Sequence, residues 1–151
     1  LHSASWTRST SYEIRKDARR FENWEANKAN ILGLKKAVEY AQSIGIERIG
    51  KRVKALGATA RSMFADIKGV QVHDIGQEKG GIISLSKEDY TQEQVLKHFS
   101  QHNINTSPIF QNATLIDMQK RKLMNNLVRA SVHYYNTEKE IQQVAEVLDQ
   151  L

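Results

Sequence analysis

Arg129 is the residue whose type and setting point most directly to a binding function. Residues 127–135 alternate between apolar and polar side chains, which predicts a β-strand with two unlike faces. The apolar face carries Val128, Ala130, Val132 and Tyr134, and the polar face carries Arg129, Ser131, His133 and Tyr135. A guanidinium group on such a face can bind both oxygens of a carboxylate, because its planar fork matches their geometry. An exposed or salt-bridged arginine without this role is the alternative interpretation.

Two pairs of residues have spacings that active sites use. His98 and His102 stand four residues apart on a predicted helix, so both lie on one face, as metal ligands would. No third ligand accompanies them, so an ordinary surface pair is the simpler interpretation. His73 and Asp74 resemble half of a catalytic triad, but adjacent strand residues point to opposite faces. Gly80–Gly81 lacks the phosphate-binding glycine patterns, and a hairpin turn explains it.

Helical periodicity predicts the helices that would support these residues. Residues 26–44 and 46–68 carry apolar side chains every three or four positions, and Gly45 and Gly69 follow as stop residues. Two shorter helices each begin with a capping box, formed by Thr91 with Gln94 and by Thr137 with Glu140.

Strand periodicity completes the predicted fold. Residues 70–75 and 82–86 alternate with a period of two and predict an antiparallel hairpin, and residues 104–110 predict a strand bent by Pro108. Residues 111–125 show no pattern, and a long irregular segment of this kind is more often functional than idle. The order of elements predicts an α+β fold: a small antiparallel-rich sheet with helices on one face, preceded by two long helices.

The composition narrows the class of protein. A length of 151 residues, 40% of them apolar and 26% charged, predicts one soluble globular domain without a membrane span. The chain has no cysteine, which excludes disulfides and a cysteine nucleophile in this stretch and fits a cytoplasmic protein. A net charge of +5 favours anionic partners, but the basic residues are interspersed with acids, as on solvated helix faces.

Two segments resemble a known family. Residues 129–141 read Arg-Ala-Ser-Val-His-Tyr-Tyr-Asn-Thr-Glu-Lys-Glu-Ile. They are similar to the end of the class V aminotransferase and cysteine desulfurase-like enzymes, which use pyridoxal 5'-phosphate (PLP). Residues 17–22, followed by Leu32-Gly33-Leu34 and Ile44-Gly45, resemble the stretch where these enzymes leave their large domain. The likeness covers about residues 12–150 and is assigned to the isopenicillin-N-epimerase-like branch.

The resemblance implies the C-terminal portion of a PLP enzyme with the aspartate aminotransferase-like fold, usually a homodimer. Residues 1–25 would be a remnant of the large cofactor domain, extended or loose, and residues 26–151 the small domain with its leading helices. The closing arginine of the family binds the α-carboxylate of the substrate, and it falls on Arg129. The expected activity is that of an aminotransferase, epimerase or lyase acting on an amino acid in the cytoplasm, with PLP bound in the intact enzyme.

Three departures from the family pattern bear on activity. The family lysine that forms the Schiff base lies upstream, so this fragment alone is expected to bind no PLP and to be inactive. Cysteine desulfurases carry a catalytic cysteine before the closing arginine, and residues 106–126 contain none. Many relatives continue the Arg-Phe-Glu segment with a glycine and a threonine that can reach the cofactor phosphate of the partner subunit. Trp24 and Glu25 stand at those places here, so this contact is not expected.

Two other classes of function compete with an enzyme. A small basic α+β module could bind nucleic acid or another anion through the net charge and the Gln-Lys-Arg-Lys turn at 119–122. Nucleic acid is the weaker alternative, because beyond Tyr135 the strands lack aromatic residues on which bases could stack. A pure interaction domain would instead use the long helix 46–68.

Overall fold

A computed structural model describes residues 3–22, 25–110, 112, 115–123 and 127–151. The chain divides into two compact units, residues 1–45 and residues 46–151, called unit 1 and unit 2 below. Trp24, at one of the places where the family pattern has glycine and threonine, lies outside the described residues.

Unit 1 is a hairpin followed by a long helix. Strands β1 (Ala4–Arg8) and β2 (Ser11–Ile14) pair antiparallel, a short 3-10 helix covers Ala18–Phe21, and α1 covers Lys28–Ile44. The Asn27 side chain caps α1, and Gly45 ends it with φ +101°, a conformation that glycine adopts without strain. The hairpin pairs Ala4 with Ile14 and Trp6 with Tyr12.

Unit 2 is an α+β fold, as the sequence predicts. In chain order its elements are α2 (Ile46–Ala65), β3 (Val70–Val72), β4 (Ile82–Lys87), α3 (Gln92–Gln101), β5 (Ser107–Pro108), α4 (Leu115–Lys120), β6 (Val128–Ser131) and α5 (Glu138–Asp149). The strands form one sheet in the order β3-β4-β6-β5, and every neighbouring pair is antiparallel. Both predicted capping boxes are present, at the starts of α3 and α5.

The core of unit 2 lies between the sheet and three helices. Strands β4 and β6 turn alternate side chains inward, where they meet the buried faces of α2, α3 and α5. The members of this core are Leu56, Ala60, Phe64, Ile83, Leu85, Val95, Phe99, Val128, Ala130, Ile141, Val147 and Leu148. The predicted alternation in the last strand is confirmed: Val128 and Ala130 are buried, and Arg129 and Ser131 are exposed. Val132, also predicted to be buried, is only partly buried at the edge of this core.

The helix predicted at 46–68 ends at Ala65, and the strand predicted at 70–75 ends at Val72. Three further predictions differ more clearly from the structure. The last strand was predicted to reach Tyr135 but ends at Ser131, because the backbone N–H of His133 donates to the Asn136 side chain at 2.8 Å and a turn begins. The strand predicted at 104–110 is paired only at Ser107–Pro108. The segment 111–125, predicted to be irregular, contains α4, whose Met118 is buried.

The two glycines before β4 also differ from expectation. The positive φ of the connection belongs to Gly76, at +99°, rather than to Gly80 or Gly81. A Cβ added to Gly81 would lie 2.1 Å from the carbonyl oxygen of Val132 and 2.8 Å from a methyl group of Val53. Gly81 is therefore required because the backbone of β6 approaches closely, and not because of a turn.

Candidate functional site

The outer face of the sheet in unit 2 is polar. Its central row crosses three strands: Arg129 on β6 is paired with Ser84 on β4 and with Ser107 on β5. Directly opposed residues of antiparallel strands share a face. The sheet register therefore brings one cation and two hydroxyl groups together on the side away from the core helices.

Arg129 is exposed on this face. Within the part of the chain that the structure describes, no hydrogen bond or ion pair joins its guanidinium to another side chain or to a backbone carbonyl. Each of the seven described ion pairs, by contrast, uses an arginine or lysine other than Arg129. Arg129 is therefore available to bind an anion that approaches the polar face.

The sequence argument predicts that His73 and Asp74 do not pair with each other, and no described hydrogen bond joins their side chains. Each bonds a different serine of β4 instead. The Nε2 atom of His73 lies 2.8 Å from the hydroxyl of Ser86. Asp74 accepts from the backbone N–H of Ser84 at 2.7 Å and from its hydroxyl at 2.6 Å. Sequence reasoning missed both serine partners, since the pairing of β3 with β4 decides which residues meet.

A nearly buried ion pair holds Asp74 in place. The Nε atom of Arg61, on α2, donates to Asp74 at 2.6 Å, and the two side chains are only 12% and 10% exposed. Arg61 also donates to the carbonyl oxygen of Ile82 at 2.7 Å. Burial would raise the pKa of Asp74, but the hydrogen bonds from Ser84 and Arg61 outweigh it and hold that pKa below its usual value. Asp74 is thus an ionised, fixed acceptor beside Ser84.

His73 lines a polar cleft of about 560 Å³, which Ser86, Lys122 and Leu123 also border. Burial lowers the pKa of His73, and the nearby Arg121 guanidinium lowers it further. Arg121 donates to the backbone carbonyl of His73 and, at 3.2 Å, to Asp117. Arg121, in the basic turn at 119–122, is therefore bound within the protein. This weakens the hypothesis that the turn binds nucleic acid.

His98 and His102 are bound by backbone carbonyls. The Nε2 atom of His98 is 2.9 Å from the carbonyl oxygen of Val147, on α5, and the Nδ1 atom of His102 is 2.9 Å from that of His98. Their rings lie 4.7 Å apart. Among the described residues, no three histidine, aspartate or glutamate side chains are close enough to share a metal ion. His98 thus connects α3 to α5, and His102 bonds the last turn of α3.

Helix α2, considered above as a partner-binding surface, uses its apolar stripe within unit 2. Leu56, Ala60 and Phe64 are buried in the core. Within the described ranges, no helix combines the length and the hydropathy that a membrane span requires.

Comparison with known proteins identifies the family of the chain. The family model "Aminotransferase class-V" matches residues 4–144. The chain belongs to the class V aminotransferase family. It is therefore a member of a family of PLP-dependent enzymes; the narrower isopenicillin-N-epimerase-like assignment is not shown by this match.

The relatives are larger proteins. A probable cysteine desulfurase from Methanothermobacter thermautotrophicus is 28% identical over 134 residues, which are 87% of this chain and 34% of that protein. The apo cysteine desulfurase of Thermococcus onnurineus NA1 has the same fold in this region, with a TM-score of 0.78 and 21% identity over 99% of this chain and 37% of that chain. This chain therefore spans about a third of the length of these two proteins.

A third similar structure holds the cofactor. It is a variant of the cystine C–S lyase C-DES with glycine covalently linked to its PLP. Its TM-score is 0.61 with 17% identity, over 98% of this chain and 36% of that chain. At this identity the likeness shows the fold alone.

Proposed function

We propose that this chain is the C-terminal portion of a PLP-dependent enzyme that acts on an amino acid, and that Arg129 binds the α-carboxylate of the substrate. The observation that carries the proposal is the position of Arg129. It is exposed on the polar face of the sheet, and no described residue bonds its guanidinium. An arginine fork binds a carboxylate through two parallel hydrogen bonds, so it fixes orientation as well as supplying attraction.

The cofactor does not fit the residues described here. The buried lysine among them, Lys87, donates its ammonium group to the carbonyl oxygen of Lys68 at 2.9 Å, so it is occupied by the backbone between α2 and β3. PLP, when bound, supplies the electron sink that stabilises negative charge on the substrate carbon. We infer that the lysine holding PLP belongs to a further domain of a longer polypeptide, which would supply most of the cofactor site.

The residue inventory argues against one reaction subtype, the transfer of sulfur to a cysteine. The chain contains no cysteine, so it offers no thiol to accept sulfur, although its relatives include cysteine desulfurases. Aminotransferase, epimerase or lyase chemistry on an amino acid remains the proposal. Binding of nucleic acid is not favoured by any contact described above.

Unit 1 supports the idea of a missing domain. None of its described residues is buried, and α1 exposes apolar side chains at Ile31, Leu32, Leu34, Val38 and Tyr40. Apolar surface of this extent normally packs against another protein surface. We propose that residues 1–25 belong to the large cofactor domain of a longer enzyme, that residues 26–151 form its small domain with leading helices, and that the enzyme is a cytoplasmic homodimer.

The role of Arg129 is tested in the enzyme expressed from a complete reading frame. The probes are glycine and glycinamide, which differ only in the carboxyl group, and binding is followed by the absorbance of the cofactor. Arg129→Ala should weaken the binding of glycine by about 2–4 kcal/mol, roughly 30- to 1,000-fold, with a smaller effect on glycinamide. Arg129→Lys should lie between, since it keeps the charge but loses the fork.

Arg48→Ala, which removes an exposed arginine of α2, is the matched control and should leave both dissociation constants unchanged. If Arg129→Ala leaves the preference for glycine over glycinamide intact, Arg129 is a surface arginine and the proposal is wrong. A second measurement addresses the cofactor. The 151-residue chain mixed with PLP should give no stoichiometric adduct at one lysine that borohydride can trap.

A further inference from the structure

Two serines flank Arg129 on the polar face, and their hydroxyl groups are not equivalent. Ser84 is paired with Arg129 from β4, and Ser107 from β5. Opposed residues in antiparallel strands have Cβ atoms about 4.5–5.5 Å apart, so both hydroxyls flank the base of the Arg129 side chain. A guanidinium that lies along the sheet across β5 would hold its ligand beside Ser107.

The proton of Ser84 is already used. Its hydroxyl donates to Asp74 at 2.6 Å, and Asp74 is held by Arg61 on its other oxygen. A serine hydroxyl has a single proton, so Ser84 cannot also donate to a bound carboxylate. The ion pair of Asp74 with Arg61 is nearly buried, which makes this arrangement difficult to change.

The proton of Ser107 has no such partner. Ser107 is half-buried, and no hydrogen bond joins its hydroxyl to another described residue. It lies on β5, the edge strand of the sheet, so a molecule can approach it from the open side. Pro108 follows it, and the fixed φ of proline restricts the backbone at this position.

We propose that Ser107 is a second binding residue of the carboxylate subsite, donating its hydroxyl proton to the same carboxylate that Arg129 binds. This inference rests on the proposed function of Arg129. A carboxylate offers about four lone-pair sites, of which an arginine fork takes two, so a third donor can be added without competition. An uncharged α-amide accepts more weakly than a carboxylate, so Ser107 would add to the preference for the free acid.

The experiment uses the complete PLP-bound enzyme, with glycine and glycinamide as probes and the absorbance of the cofactor as the signal. Ser107→Ala should raise the dissociation constant of glycine by about 3- to 30-fold, as expected for the loss of a hydrogen bond to a charged group. The constant for glycinamide should change less. Ser107→Thr, which keeps a hydroxyl, should restore most of the affinity for glycine.

Ser84→Ala is the matched control, because it removes the serine on the other side of Arg129, whose proton is not available. It should change the ratio of the two dissociation constants by less than about twofold. In an Arg129→Ala background, the effect of Ser107→Ala should shrink, since the carboxylate is no longer held beside it.

The outcomes separate this inference from the proposed function. If Arg129→Ala abolishes the preference for glycine while Ser107→Ala behaves like Ser84→Ala, only the role of Ser107 is wrong. If Arg129→Ala has no effect on the preference, the subsite is not at this face and both proposals are overturned. A Ser107→Thr enzyme as weak as Ser107→Ala would likewise show that packing, and not the hydroxyl, matters.

Discussion

The two units of this chain differ in what stabilises them. Unit 2, residues 46–151, closes a core between a four-stranded sheet and three helices, with twelve buried residues among those that the structure describes. Unit 1, residues 1–45, has a hairpin and a well-capped helix of 17 residues, yet none of its described residues is buried. Regular secondary structure is therefore present in both units, but only unit 2 has the apolar burial that makes such structure stable.

This difference indicates how the chain works. A fold that buries its own apolar surface can present a polar face, such as that of Arg129, as a rigid platform. A helix that exposes Val38 and Tyr40 depends on contacts outside its own unit. We therefore expect unit 2 to remain folded when unit 1 is perturbed, and the predictions below test this expectation.

Placing a charge in each unit should give the largest contrast. Val128 is fully buried in β6, so Val128→Asp leaves an unpaired carboxylate in the core and should cost more than about 4 kcal/mol. Val38→Asp, on the exposed surface of α1 (46% exposed), should change the free energy of unfolding of unit 2 by less than about 0.5 kcal/mol. Urea denaturation followed by the near-ultraviolet signal measures both. Equal effects of the two variants would show that the units fold as one.

A methyl group added to a glycine should give the next contrast. Gly81→Ala places a Cβ against the Val132 carbonyl, so β4 and β6 must separate, at a cost of about 2–3 kcal/mol. In Gly33→Ala the added Cβ meets nothing within 4 Å in α1. The change should stabilise this helix by up to about 1 kcal/mol and so raise the helicity of unit 1. Thermal unfolding by circular dichroism distinguishes the two. If Gly81→Ala melts at the temperature of the unaltered chain, the close approach described above is incorrect.

The elements predicted from the sequence are those whose signals are local. Each capping box lies within four residues, and Thr91 with Gln94 and Thr137 with Glu140 form the predicted hydrogen bonds. The alternation of Val128 and Arg129 likewise needs only the period of a strand, and it correctly separates the core face from the polar face.

The features that were missed depend on residues distant in sequence. Ser84 meets Asp74, and Ser86 meets His73, only because β3 pairs with β4 in a particular register. The position of Ser107 beside Arg129 depends on the pairing of β5 with β6, in which Ser107 and Pro108 face Arg129 and Val128. No local pattern encodes these contacts, so the neighbours of the candidate site could not be derived from the sequence alone.

Removing a helix cap should give a smaller contrast. Thr137 caps α5, which is packed in the core, so Thr137→Ala should lower the stability of unit 2 by about 1 kcal/mol. Asn27 caps α1, and Asn27→Ala should speed amide hydrogen exchange in the first turn of α1 only. Hydrogen exchange read by mass spectrometry reports both. Faster exchange throughout unit 2 in Asn27→Ala would contradict the independence of the units.

The smallest expected contrast between the units is in how acid changes their melting temperature. The guanidinium of Arg52 hydrogen-bonds Glu138 and lowers its pKa from 4.5 to about 2, joining α2 to α5 across unit 2. A carboxyl whose pKa is lower in the folded state stabilises the fold above its unfolded pKa, and this contribution is lost as pH falls toward 2. Unaltered chain should therefore melt slightly higher than Glu138→Gln at pH 6, and the gap should close by pH 2. Glu138 is 62% exposed, so adding 0.5 M salt, which shortens the screening length to roughly 4 Å, should shrink this difference in melting temperature.

In unit 1 the pKa of Asp17 is also lowered, by Arg15 two residues away, but that pair joins no distant elements. Asp17→Asn should thus leave the melting of unit 2 unchanged at every pH, and a pH-dependent gap for this variant would show that unit 1 contributes to the stability of unit 2.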